Sequence, residues 1–128
     1  MKDEDAQITS AEREKGRDTM QLRFLGRGGS QVNDCPTLYA TDQGSYVATG
    51  WRTGTSETIE IPHLLTGFAE PHTFIGTALT DTGRGTFTLS GRPITDDKTL
   101  SQLDLADDEA AIEVPKSKRT FYGVSAAR

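Results

Sequence analysis

The sequence predicts a mainly β, α+β domain: two diverged β-units related by a pseudo-twofold, forming a small sandwich or open barrel of about seven or eight strands with one short helix. Two internal echoes and the alternation of apolar and polar side chains in short runs support this. Gly85-Thr86-Phe87-Thr88-Leu89-Ser90-Gly91-Arg92 echoes Gly44-Ser45-Tyr46-Val47-Ala48-Thr49-Gly50, with Arg52 close behind, and Ile112-Glu113-Val114-Pro115 up to Phe121 echoes Ile59-Glu60-Ile61-Pro62 up to Phe68. The stretch Pro36 to Phe68 is thus one unit that the chain repeats.

In chain order, residues 1–19 are almost wholly polar, with Ile8 the one large apolar side chain, and are expected to be a disordered extension. A single β-rich domain follows over residues 20–124, divided into copy one at 20–70 and copy two at 71–124, with 125–128 a frayed tail. At 128 residues the whole is one domain, and neither half should be stable alone.

Met20 to Gly26 alternates with Leu22 and Phe24 on one face, as a half-buried strand does. Arg27 to Pro36 is a loop of turn-forming residues. Thr37 to Thr41 and Ser45 to Trp51 make a hairpin around Asp42-Gln43-Gly44, where glycine accepts a positive backbone angle. In the second strand Tyr46 and Ala48 share a face with counterparts Phe87 and Leu89, so that face is the core; Val47, Thr49 and Trp51 lie on the other. Glu57 to Ile61 is a strand ended by Pro62, and His63 to Phe68 is a helical turn or a further extended piece. Ala69 to His72 is the boundary between copies.

The second copy opens at Thr73-Phe74-Ile75-Gly76, resembling Arg23-Phe24-Leu25-Gly26, and turns at Asp81-Thr82-Gly83. A helix capped by Thr95 or Asp96 is expected over Asp97 to Leu105, with Leu100 and Leu103 buried. Ala110 to Val114 and Thr120 to Val124 complete the sheet.

Charge narrows the function classes. Fourteen Lys plus Arg against 19 Asp plus Glu give −5 at neutral pH, which opposes direct nucleic-acid binding unless a local basic patch exists. Lys116, Lys118 and Arg119 are the best candidates for one, against a solvated strand edge. The single cysteine, Cys35, permits no intramolecular disulfide and suits a reducing compartment. The opening residues lack the apolar segment of a signal peptide, and no run is long enough to span a membrane; a cytoplasmic protein is expected.

No motif specifies a reaction, and no cofactor or metal is expected. Asp81-Thr82-Gly83, with Asp42-Gln43-Gly44, is similar to the paired aspartates of aspartic proteases. Gln43 stands where that family has a hydroxyl, Arg84 where a small residue is usual, and both triplets are better explained as turns. His63, His72 and Cys35 lack metal-ligand spacing. Trp51 and Arg52, with Tyr39 and Tyr46, form a more credible surface, because Trp, Tyr and Arg dominate interface hot spots. Trp51 filling the core between copies is the alternative.

On Met20-Gln-Leu-Arg-Phe-Leu-Gly, Cys35-Pro-Thr-Leu-Tyr-Ala-Thr-Asp, Gly44-Ser-Tyr-Val, Gly50-Trp-Arg, Leu100-Ser-Gln-Leu-Asp-Leu and Ile112-Glu-Val-Pro, the chain resembles small uncharacterised proteins of Streptomyces and related actinobacteria. Those are similar in style to the small proteins encoded beside WhiJ-type helix-turn-helix regulators. Asn33-Asp34-Cys35 and Pro62 echo that group's layout. The resemblance implies a non-enzymatic regulatory protein that binds a protein partner, a helix-turn-helix transcription regulator, rather than DNA. Trp51, Arg52, Tyr39, Asn33 and Asp34 are the partner-binding candidates. A toxin–antitoxin-like module is one alternative, and a small-molecule-binding β-module with a pocket of Tyr39, Tyr46 and Trp51 is another. The chain is expected as a monomer or homodimer, since a fused pair can satisfy a twofold interface internally.

Overall fold

The computed structural model describes residues 19–28 and 36–119. Asn33, Asp34, Cys35, Phe121, the strand expected over 120–124, the tail and all but the last residue of the N-terminal extension lie outside the described residues.

The strands are β1 (Leu22–Arg27), β2 (Thr37–Thr41), β3 (Ser45–Arg52), β4 (Thr58–Pro62), β5 (Thr73–Ile75), β6 (Thr80–Asp81), β7 (Thr86–Ser90), β8 (Arg92–Pro93) and β9 (Glu109–Lys118). A 3-10 helix (His63–Phe68) follows β4, and helix α1 (Asp97–Leu100) precedes β9. The strands form an open antiparallel sheet in the order β1-β2-β3-β4-β7-β6, while β9 pairs with β3, β5 and β8.

The two units repeat in register. In unit one, Trp51 of β3 opposes Glu60 of β4 and Arg52 opposes Ile59. In unit two, Arg92 of β8 opposes Glu113 of β9 and Pro93 opposes Ile112. Between units, Tyr46 faces Val114 and Ala48 faces Ile112. Exchanging each residue for its echo gives the other inter-unit pairing, Phe87 with Ile61 and Leu89 with Ile59. The sequence echo sets Arg92 beside Arg52; register corrects this, placing Trp51 at Arg92's position and Arg52 at that of Pro93.

Small residues enforce the same geometry twice. A Cβ on Gly50 would come within 2.5 Å of the Glu60 carbonyl oxygen, and one on Gly91 would strike the Glu113 carbonyl oxygen. Gly44 and Gly85 close the turns before β3 and β7 with φ of 80° and 89°, a region that only glycine enters without cost. The turn hydroxyls match as well. Thr41 Oγ1 lies 2.7 Å from Ser45 Oγ and accepts from Gln43 N, while Thr82 Oγ1 lies 2.6 Å from Thr86 Oγ1 and accepts from Arg84 N. The second turn is therefore centred on 83–85, and Asp81 closes β6 instead of starting the turn.

The main core lies on the expected face. Leu38, Tyr46, Ala48, Ile59, Ile61, Leu65, Leu89, Ile112 and Val114 pack together there, and burying each large one contributes about 1.5–3 kcal/mol. Tyr46 is fully buried, and its hydroxyl accepts from Glu70 N at 2.7 Å and bonds Thr73 Oγ1, tying the connection between units to the core. The opposite face of unit one carries a second core of Met20, Tyr39, Val47, Ile94 and Ala111, with Leu22, Leu100, Leu103 and Leu105 against it.

Two expectations differ. Helix α1 ends at Leu100, well short of Leu105: Asp96 caps it by accepting from Thr99 N at 2.9 Å, and the chain then turns so that Leu103 and Leu105 still reach the second core. Strand β5, the echo of β1, pairs with β9 through Phe74 and Ser117, whereas β1 pairs with β2. The units thus match across β2–β4 and β6–β9 and diverge at their first strands.

Candidate functional site

Trp51 sits near the end of β3, where the strand has neighbours on both edges: Glu60 of β4 on one side and Glu109 of β9 on the other. Directly opposed residues share a face, so the indole stands between two carboxylate-bearing positions. It is half-buried, belongs to neither core, and its Nε1 makes no hydrogen bond among the described residues. That placement corrects the reading in which Trp51 fills the core between units.

Arg52 is exposed, and its Nε donates to Asp107 O at 3.2 Å while its backbone N–H donates to Asp108 O at 2.8 Å. Arg52 thereby holds an exposed acidic turn beside Trp51. Glu109, which follows that turn, is 1% exposed, and its Oε1 accepts from Ala106 N at 3.1 Å. Glu60 is partly exposed; its Oε2 accepts from Thr86 Oγ1 at 2.5 Å and has Arg84 Nη2 at 3.5 Å.

Tyr39 is elsewhere. It opposes Val47 on the Trp51 face but four residues back along β3, and only 8% of it is exposed. Burial pushes its phenol pKa up, partly countered by the charge of Arg27. Phe24 meets it edge-on at 6.3 Å. Tyr39 is thus a second-core residue. Tyr46 points to the opposite face, so Tyr39, Tyr46 and Trp51 do not line one pocket. A groove of about 540 Å³ lies instead at the connection between units, lined by Ala69, Pro71, His72, Phe74, Ile75 and Leu79 among others.

The remaining candidates are accounted for by local contacts. Lys116 is largely buried, its Nζ pairs with Glu70 Oε1 and lies 5.0 Å from the centre of the Tyr46 ring, and β5 covers this part of β9. Lys116 is therefore neither part of a free basic patch nor on a solvated edge. Its pairing holds the Glu70 carboxyl below the usual range, with Arg23 adding to the effect. Register makes His63 the counterpart of Lys116: its ring packs on Phe87 at 4.2 Å, and its Nε2 lies 3.2 Å from Asp81 Oδ1. The backbone N–H of Gly83 and then His63 draw the Asp81 carboxyl down, against partial desolvation. Asp42 Oδ1 accepts from Gln21 N at 3.0 Å, so the two aspartates serve different hairpins. Among the described residues no group of three His, Cys, Asp or Glu is placed to hold a metal, and no helix is long and apolar enough to cross a membrane.

Nothing in the local residue pattern signals Glu60 as a companion of Trp51, because that pairing depends on the β3–β4 register. No protein-family model, curated protein or solved structure matches the chain.

Proposed function

We propose that this protein is a non-enzymatic interaction protein whose Trp51 end binds a protein partner, a helix-turn-helix transcription regulator of an actinobacterial cell. The observation that carries the reading is Trp51 itself: the single tryptophan stands half-buried outside both cores, with its indole N–H without a protein acceptor among the described residues. A large aromatic ring with a spare polar handle is the usual anchor of a protein interface. Arg52 supports the site by fixing the Asp107–Asp108 turn beside it. The exposed carboxylates of that turn and a net charge of −5 favour a basic partner, as DNA-binding domains are.

The test is capture of the purified regulator encoded beside the gene. Trp51→Ala and Arg52→Ala are expected to fold as the parent does and to lose binding. Capture undiminished in both variants would remove the site assignment.

A further inference from the structure

The twofold relation shows what Trp51 and Glu60 lack. In unit two, Arg92 donates from Nε and Nη2 to Glu113 Oε1, while Ser45 Oγ donates to Glu113 Oε2 at 2.6 Å. Both oxygens of that carboxylate are engaged. In unit one, Thr86 stands for Ser45 and makes the same bond to Glu60 Oε2 at 2.5 Å. Trp51 stands for Arg92. Arg84, 69% exposed in its side chain, approaches the oxygen Thr86 already uses, Oε2, at 3.5 Å. Glu60 Oε1 receives no hydrogen bond among the described residues. Unit one thus keeps the carboxylate and its hydroxyl donor, lacks the internal guanidinium, and carries a tryptophan at the position opposed to that carboxylate.

We propose that Trp51 and Glu60 bind a guanidinium group of an arginine side chain supplied by the partner, which takes the place Arg92 holds in unit two. An arginine is the fitting donor for two reasons. Its planar fork meets a carboxylate with parallel N–H groups, and it packs flat on an aromatic ring better than the compact lysine ammonium does. The carboxylate is already oriented by Thr86, so little freedom is lost when the cation arrives. This proposal rests on Trp51 being the partner-binding end.

The experiment uses the full chain and a fluorescein-labelled tetra-arginine peptide, followed by anisotropy, with a tetra-citrulline peptide as the neutral isostere. Saturable binding of tetra-arginine and none of tetra-citrulline is expected. Glu60→Gln should weaken binding on the order of tenfold, the usual effect of removing a charge-assisted hydrogen bond. Asp97→Asn, the same change of net charge on α1, should leave it within about twofold. Trp51→Arg, which copies unit two, should fold and abolish binding because its own guanidinium fills the site. Equal weakening by Glu60→Gln and Asp97→Asn would reduce the effect to net charge and overturn the proposal, as would tight binding by Trp51→Arg. If the regulator is captured in a Trp51-dependent way while tetra-arginine fails to bind, the guanidinium assignment falls and the partner-binding reading stands. If Trp51→Ala and Arg52→Ala leave capture unchanged, both fall.

Discussion

Trp51 and Arg92 occupy one position in two copies of the same local structure: each opposes a glutamate, Glu60 or Glu113, whose carboxylate accepts a hydroxyl from the other unit. In one copy the position closes an ion pair inside the protein, and in the other it holds a tryptophan opposed to a glutamate whose Oε1 receives no hydrogen bond among the described residues. Symmetry of the scaffold and asymmetry of this one position together define the candidate site.

The twofold makes a paired prediction about glycine. Gly50→Ala and Gly91→Ala each drive a Cβ into a backbone carbonyl oxygen that cannot retreat without breaking a strand pair. Each should cost about 1–3 kcal/mol, the range for overpacking, read as similar drops in thermal midpoint. A large loss in one and none in the other would show that the two strand crossings are not equivalent.

A second prediction concerns the tie between α1 and the start of β1. Thr99 is fully buried, donates from Oγ1 to Asp96 Oδ2 at 2.7 Å and accepts from Met20 N at 3.0 Å. Thr99→Val keeps the shape and leaves Met20 N–H without its acceptor, a loss of about 1–3 kcal/mol. Hydrogen exchange should quicken at Met20 and through α1. The hydrogen bonds from Thr99 also hold Asp96 below its ordinary pKa in spite of desolvation.

Acid should loosen the connection between units. The Glu70 carboxyl lies below its ordinary 4.5 because Lys116 and Arg23 stabilise the charged form. A depressed folded value contributes stability that is complete above the unfolded value and disappears as pH falls through the folded one. Below pH 4.5 the parent should therefore lose stability faster than Glu70→Gln, and above it Glu70→Gln should be the less stable. Parallel stability–pH curves from chemical denaturation would refute this role.

Much of the fold was legible because alternation and echo are written locally. Tyr46 with Phe87, Ile59 with Ile112 and Ile61 with Val114 stand out as matched apolar positions, and they form the main core. The second core was legible only in part. The spacing of Leu100 and Leu103 marks them as buried, whereas Met20, Ile94 and Leu105 come from irregular segments whose packing against Tyr39 and Val47 depends on tertiary contacts, so no period marks them. Arg92 reads as the echo of Arg52, close behind Gly50, for a related reason: similarity of residue type competes with register, and a one-residue difference in register changes both the face and the partner. Trp51 could be singled out by its type alone. Glu60 could not, since a glutamate between two isoleucines reads simply as the solvent side of a strand.

The most direct test uses Trp51 as its own reporter, because it is the one tryptophan in the chain. Purified helix-turn-helix regulator, with its own tryptophans replaced by phenylalanine, is titrated into the protein while tryptophan emission and the mass of the complex are followed together. Burial of the indole at the interface predicts a saturable blue shift that tracks complex formation. A complex that forms with the Trp51 emission unchanged would contradict the assignment of this end of β3 as the binding site.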